Sequence, residues 1–458
     1  MAPDGGANRE SASIGARFFR DHPELRDVDL LLVDLNGVVR GKRVKGSQAV
    51  AGLADPAGAG LAFPSSIYAV DTTGLDTAEA KLAWHRGDPN DLCQLEPETF
   101  RLTPWRFGGA QVFCRLVDKK GDAFFLDSRA LLARLGRRFA DRGLTVTMAF
   151  ELEFTLIDAA LASDRRTPAA AMSEAVDAMA GHLYSIVKLD GAERIMARIR
   201  DYADAQRIPL NGLLAEAAPF QYEANLSHRS GPVQAADDLV TLKRIIRNAA
   251  RLDGSRACFM AKPFMDVPGN GLHVHVGLAQ SGRNLFRADE KALRHAIGGL
   301  LTTMDEAMLI MAPNANSYRR FEPLSYAPTA PSWGHDNRTT AIRIPSGAPD
   351  DIHIEHRLAG SDANPYLVAA AILIALEHGM ETAIDPGPPV EGNVYDLLEP
   401  SLPLDWARAI DRFEPEGVIG RGLGVEFSTY FRICRQAEHH RFQRFITPIE
   451  TAWYGDSV

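Results

Sequence analysis

The sequence predicts an α+β fold: an antiparallel sheet backed by helices, preceded by a small α+β domain. Two observations point there. Four segments in the C-terminal three-quarters alternate an apolar comb with polar, ligand-type residues, as in Met148-Ala-Phe-Glu-Leu-Glu-Phe-Thr-Leu156, and side chains alternate between faces only along a strand. Between these segments lie long stretches with apolar residues at helical spacing. Half-buried strands separated by helices fit an antiparallel sheet with one open face better than a parallel sheet covered on both.

Residues 1–26 read as a polar start and a short helix. Asp29-Leu-Leu-Leu-Val-Asp34 and Val38-Val-Arg-Gly-Lys-Arg-Val44 flank the turn Leu35-Asn-Gly-Val, a hairpin signal. A Gly/Ala/Pro loop follows at Ala54 to Gly60, and strand-like pieces continue to Phe113-Cys-Arg-Leu-Val117. These elements assign 1–118 to a first domain and 119–458 to a second. A helix then begins with Asp127 or Ser128 as N-cap, lines up Leu131, Leu132, Leu135 and Phe139, and stops at Gly143. In the Met148–Leu156 strand, Glu151 and Glu153 share the open face. Helical patterns occupy about 168–205. The second strand runs from Glu216 to Leu226, with Gln221, Glu223 and Asn225 on one face. A helix from about Asp237 to Leu252 turns Leu239, Leu242, Ile246 and Ala249 inward. The third strand, Gly271-Leu-His-Val-His-Val-Gly-Leu278, carries His273 and His275; the fourth, Asp351-Ile-His-Ile-Glu-His-Arg-Leu358, carries His353, Glu355 and Arg357. Further helices fall near 289–311, 362–380 and 403–413. The apolar run Tyr366 to Leu376 follows Asn364-Pro365 and reads as a buried core helix, too short for the about 20 residues that cross a bilayer.

At 458 residues the chain can bury a large core, with 46% apolar and 24% charged residues, an ordinary globular balance. A net charge of −9 argues against nonspecific nucleic-acid binding. Cys93, Cys114, Cys258 and Cys434 lie far apart without zinc or redox spacing and read as reduced thiols. With no apolar signal core at the N-terminus, the expectation is a cytoplasmic protein without membrane contact.

If the four strands lie side by side, Glu151, Glu153, Glu216, Glu223 and Glu355 share one cleft with imidazoles. Two carboxylates ~4 Å apart repel by about 4 kcal/mol at an effective dielectric of about 20, so the cluster needs protons or cations. Carboxylate oxygens suit Mg²⁺, and a histidine among them tilts a site toward accepting Mn²⁺. Two ions divide the ligands sensibly, one on three glutamates and one on two glutamates and a histidine. A single Glu-x-Glu strand is more often a solvated sheet face, but four such strands beside Arg320, Arg338, Arg343 and Arg357 reverse that reading. Guanidinium groups beside a carboxylate–metal face suit phosphoryl transfer, which needs cations on the migrating group. No phosphate-binding Walker loop, Rossmann glycine turn or nucleophile elbow is present.

These motifs resemble, in order and over nearly the whole chain, those of the glutamine synthetase family. Glu151-Leu-Glu153 resembles its metal motif, and Glu216 through Glu223 its spaced metal glutamates. Gly269-Asn-Gly-Leu-His-Val-His275 is similar to the loop and strand with the glutamate-binding glycine and the metal histidine. Asn316-Ser-Tyr-Arg-Arg320, Asn337-Arg-Thr-Thr-Ala-Ile-Arg-Ile-Pro345 and Ile354-Glu-His-Arg357 resemble its substrate, phosphate and second-metal blocks. The resemblance implies an N-terminal β-grasp domain at 1–118, a catalytic domain at 119–458, and a homo-oligomer, hexamer or dodecamer, with sites between subunits. It implies ATP-dependent activation of the glutamate γ-carboxylate to γ-glutamyl phosphate, then attack by a nitrogen nucleophile. Glu153, Glu216 and Glu223 would hold the ion that meets glutamate, and Glu151, His273 and Glu355 the ion on the ATP phosphates, at least two Mg²⁺ or Mn²⁺ per site. Arg338 would stabilise the transferring phosphoryl group. Gly269, Arg320 and Arg357 would bind glutamate, and His275, Arg343 and His353 would bind ATP.

The departures bear on the nucleophile. The family's ammonium-site Asp and Glu correspond to Phe63, in Ala62-Phe-Pro-Ser-Ser66, and Tyr326, in Pro323-Leu-Ser-Tyr-Ala-Pro328. Two anionic groups have become aromatic, which disfavours ammonium and favours an alkylamine that buries its chain at about 0.8 kcal/mol per CH₂. The pattern is similar to the γ-glutamylamine branch, which ligates glutamate to polyamines or monoamines, with Tyr326 also a candidate proton acceptor. Glu322 is the nearby acid for a distal ammonium. An ordinary glutamine synthetase is the alternative, and a non-enzymatic lens-type member a further one, though all six metal ligands are present. Pro268 stands where the family has a glutamate-binding Asn. Asn393-Val-Tyr395-Asp-Leu resembles a regulatory adenylylation site and also reads as a plain loop.

Overall fold

The computed structural model describes residues 14–118, 120–158 and 183–457. Two sheets organise it. The first contains β1 (Asp27–Val33), β2 (Val39–Lys45), β3 (Ala62–Pro64), β4 (Asn90–Leu95), β5 (Arg101–Leu102) and β6 (Gly109–Val117). Its order is β2-β1-β6-β4-β3, with β5 also on β6. The β1/β2 hairpin is antiparallel as its turn predicts, while β1 and β6 run parallel. Residues 14–21 are helical.

The second sheet contains β7 (Leu144–Asp158), β8 (Leu210–Ala215), β9 (Gln221–Leu226), β10 (Arg229–Ser230), β11 (Ser255–Cys258), β12 (Leu272–Gln280), β13 (Arg283–Asn284), β14 (Trp333–His335), β15 (Ile342–Ile344) and β16 (Ile354–His356). Its order is β14-β15-β16-β12-β7-β9-β8. Every pairing is antiparallel except β14 with β15. Met148, Phe150, Leu152 and Phe154 of β7, with Leu272, Val274 and Val276 of β12, are fully buried on the apolar face. The helices Ser128–Asp141 and Pro232–Leu252 back that face, and Pro365–Thr382 packs against both of them. The first is capped as expected, the Asp127 carboxylate accepting from Ala130 N. In the third, Asn364 caps Tyr366 N and Leu367 N, and nearly every residue of the apolar run is buried. Among the described residues no helix is long and apolar enough to cross a membrane.

Three expected elements differ. The 216–226 strand is two pieces: β8 ends at Ala215, residues 216–220 form a turn with Phe220 at φ 56°, and β9 begins at Gln221. The fourth ligand strand shortens to Ile354–His356 because Pro349–Asp351 forms a 3₁₀ turn. The 289–311 helix breaks into Glu290–Thr302 and Met304–Met311. Of the pattern at 168–205, the helices Ile186–Gly191 and Glu193–Ala205 are seen, and 168–182 lies outside the described residues.

Candidate active site

Strand register assembles the open face. On β7, Glu151 lies opposite Asn225 of β9 and His273 of β12, and Glu153 lies opposite Glu223. One row further, His275 faces Glu355, which faces Arg343. Residues two apart on a strand share a face, so the alternation that buries Phe150, Leu152 and Phe154 turns both glutamates into the cleft. Glu216 joins them from the turn after β8, not from a strand.

Ligand atoms of Glu153, Glu216 and Glu223 lie within 4.8 Å of one another. Glu151 enters two further groups of that size, with Glu223 and His273, and with His275 and Glu355. The expected Glu151–His273–Glu355 set is also close: His273 Nδ1 is 3.1 Å from Glu151 Oε2 and 3.8 Å from Glu355 Oε1. His275 Nε2 lies 3.1 Å from Glu151 Oε1, and its Nδ1 is 2.9 Å from His353 Nε2. Both imidazoles therefore lie within reach of Glu151 at the Glu355 end of the cleft.

Electrostatics separates the two ends. Burial, then repulsion from Glu151, Glu153 and Glu216, pushes Glu223 up to about 10. Burial and Glu153 raise Glu216 to about 7. Burial also raises Glu153, against the Gly271 N–H at 2.9 Å and the charges of Arg320 and Arg357. One buried and two half-buried carboxyls that resist joint ionisation are the donor set a hard divalent cation fits, since its charge lets all three ionise. At the other end burial is outweighed. His273 and His275 hold Glu151 below the usual carboxylate range, and Arg357 with the imidazoles holds Glu355 at about 2.

The arginines divide likewise. Arg320 is buried and donates to the carbonyls of Leu358 and Ala359, while its Nε finds no acceptor. Arg357 pairs with Glu355, and its Nε is likewise buried and unpartnered. Buried donors of this kind are rare without a ligand or water to accept from them, and a carboxylate is the natural partner for two guanidiniums. Gly269 adjoins this pair: a Cβ there would meet Ala261 O at 2.2 Å and Arg320 Cγ at 2.8 Å, so only glycine lets the loop close on Arg320. Arg343 donates to Glu355 Oε2 at 2.7 Å and to Asp336. Arg338 is exposed on the turn between β14 and β15.

Phe63 and Tyr326 differ in setting. Tyr326 is 60% exposed at φ 58°, on a turn where Leu324 is also exposed and left-handed. Phe63 is 2% exposed, its ring turned into its own domain with Lys42 Nζ 4.4 Å from the centroid. No aromatic contact joins the two among the described residues. Glu322 is already engaged, 3.0 Å from the buried ammonium of Lys262. The Tyr395 hydroxyl donates to Ala327 O at 2.8 Å, which ties it to the Tyr326 turn. Sequence reasoning missed His228, whose ring packs edge-on 5.2 Å from His353. It lines a cavity with Thr147, Gly277, Asn284 and Asp351 at the His275–Glu355 end. Its position after β9 has no periodic signal that could have found it.

Residues 125–454 match the family described as "Glutamine synthetase, catalytic domain". The γ-glutamylputrescine synthetase PuuA of Escherichia coli (strain K12) is 36% identical over 447 residues, covering 95% of this chain and 93% of that protein. A glutamine synthetase of Pyrococcus abyssi (strain GE5 / Orsay) is 29% identical, covering 89% of each. The solved structure of a GmaS/ADP complex superposes with a TM-score of 0.82 at 25% identity, covering 96% of this chain and 99% of that one. Matched along most of its length in sequence and fold, with its carboxylate and imidazole rows in register across one sheet, the chain belongs to the glutamine synthetase family.

Proposed function

We propose that this chain is an ATP-dependent ligase that joins the γ-carboxylate of glutamate to a primary amine through γ-glutamyl phosphate. The observation that supports it most is the glutamate trio Glu153, Glu216 and Glu223 beside two buried guanidiniums with unpartnered Nε atoms. That arrangement suits a carboxylate substrate next to a divalent cation. Glu153, Glu216 and Glu223 would hold one Mg²⁺ or Mn²⁺, and Glu151 with Glu355 and His273 or His275 a second. Such ions supply charge neutralisation for a transferring phosphoryl group. Arg320 and Arg357 orient the substrate carboxylate next to the Gly269 loop. Arg343, held by Glu355 and Asp336, presents fixed donors to ATP phosphates, with His275 and His353 beside it. Arg338, exposed on the turn between β14 and β15, would close on the phosphoryl group.

The nucleophile follows from Tyr326. An aromatic ring at the mouth of the site offers no charge to ammonium, but gives apolar area to an alkyl chain. Phe63, the other residue expected at the amine pocket, is 2% exposed within its own domain. Phosphate release with glutamate and ATP across putrescine, ethanolamine, isopropylamine and ammonium tests this reading. The expected result is a primary alkylamine turned over at least about tenfold better than ammonium, a difference of about 1.4 kcal/mol in transition-state binding. Tyr326→Glu should narrow that preference. Equal use of ammonium in the unmodified protein would make it an ordinary glutamine synthetase.

A further inference from the structure

Glu216 is the one ligand of its trio that no strand holds. Glu153 and Glu223 sit opposite each other on paired strands, whereas Glu216 lies in the turn between β8 and β9. That turn is fixed from outside the sheet by a lysine. Lys188, on the helix Ile186–Gly191, is 5% exposed, and its Nζ donates to Glu216 O and Ala218 O, each at 2.6 Å. Its ammonium lies 5.5 Å from the Tyr222 ring centroid, and no carboxylate lies within salt-bridge distance of it among the described residues. Lysine is almost never fully buried without a partner, so a lysine spent on two main-chain carbonyls signals a demand at that turn. Around it, Glu216 N donates to Gln221 O at 3.0 Å, Ala218 N to the Gln221 side chain at 3.1 Å, and Tyr184 N to Ala215 O at 2.9 Å. Gln221 N also donates to Ala218 O at 3.2 Å, but among the described residues only the lysine grips the carbonyls on both sides of Ala217.

We propose that Lys188 is a positioning residue that aims the Glu216 carboxylate at the glutamate trio by clamping the 216–218 turn. The inference rests on the metal reading given above. Removing the clamp leaves Glu216 O without its donor and Ala218 O with the Gln221 N–H alone, at 3.2 Å, and lets the turn relax, so Glu216 drifts from Glu153 and Glu223. Glu151 and the imidazoles belong to strands Lys188 does not touch, and their end of the cleft stays as it is.

Titrating the full-length, chelator-treated protein with Mn²⁺, with free Mn²⁺ followed by electron paramagnetic resonance, tests this without turnover. Two classes of bound Mn²⁺ are expected in the unmodified protein, and Glu153→Gln identifies the class on the glutamate trio. Lys188→Met, which keeps the aliphatic stem, should weaken that class by about 10- to 100-fold, as loss of a ligand-orienting partner does, and leave the other class within about twofold. Unchanged affinities in a folded Lys188→Met protein overturn the inference alone, as does equal weakening of both classes, the mark of a merely structural lysine. An unmodified protein that binds no Mn²⁺ overturns the metal reading and this inference with it. If Lys188→Met does not fold, Lys188→Gln carries the test. It keeps a donor too short to reach both carbonyls, so the same selective loss is expected, and its absence overturns the proposal.

Discussion

Glu153 shows how much one side chain depends on its surroundings. Its carboxylate accepts from Gly271 N at 2.9 Å and from the Gln221 amide at 3.1 Å, and it shares the cleft with Glu216 and Glu223. Glu153→Ala should abolish phosphate release, a loss of several kcal/mol of transition-state stabilisation, while the assembly still forms by light scattering. Near-normal release would remove the metal assignment. Lys243 gives a pH test away from the ligands. Its ammonium, buried beside Phe259, has one acceptor, Ser361 O at 2.6 Å, and burial followed by the Arg247 charge lowers it from 10.5 to about 7. Between those values the unfolded chain holds a proton that the folded chain has released, so this group adds stability as pH rises from about 7 toward 10.5. Lys243→Met removes that slope. The variant's stability relative to the unmodified protein should therefore be highest near pH 7 and fall by on the order of 3 kcal/mol by pH 10, measured by urea unfolding at both ends. A difference independent of pH would refute the assignment. Neither Lys243 nor Lys188 was legible in the sequence, because a lysine among mixed residues carries no sign of its burial.

At the scale of elements, strand alternation was the legible part. Glu151, Glu153, Glu223, His273, His275 and Glu355 were readable as one face because each stands between residues that bury. What alternation could not show was where a strand stops. The alternation at Gln221, Glu223 and Asn225 extends the expected strand back through Ala217-Ala-Pro-Phe220, but the left-handed Phe220 turns the chain, and Glu216 reaches the cleft from that turn. The short β15 ends before Pro345, and the short β16 lies between the Pro349–Asp351 turn and the Arg357 loop, too little sequence for a period to register. Helix packing was equally hidden. The helices Glu290–Thr302 and Pro365–Thr382 approach through facing glycines: a Cβ on Gly379 would meet His295 O at 2.1 Å and Gly299 Cα at 2.7 Å. No flexible side chain is there to give way. Gly379→Ala should therefore force the helices apart and cost about 1–3 kcal/mol or more, seen as a lowered Tm by calorimetry. The ligand rows, on the opposite face of the sheet, should keep their Mn²⁺ affinity in the cold. An unchanged Tm would mean the backbones are further apart than described.

The whole molecule is one chain in which both sheets share polar ties. Asn364 Nδ2 donates to Asp34 O at 3.0 Å, Tyr68 to the Asp127 carboxylate at 2.8 Å, and Arg244 to Asp29 at 2.6 Å. The first sheet is therefore held against the helical back of the second, and Phe63 is locked within it. The surface is less complete. Phe442, Phe445, Ile446, Ile449, Trp453 and Tyr454 are all exposed within one short C-terminal stretch that includes the helix Pro448–Tyr454. So many large apolar side chains in contiguous sequence mark a protein contact more often than free surface, and another copy of the chain is the occupant that the family resemblance implies. Light scattering on the full-length protein should give a hexamer or dodecamer. Ending the chain after Arg444 should give a smaller assembly, because the removed segment carries most of that apolar surface and little of the core. The truncated protein should still bind Mn²⁺ at the glutamate trio, since none of those ligands lies in the removed part. Full activity in a full-length monomer would overturn the assembly reading, and an unchanged size after truncation would place the contact elsewhere.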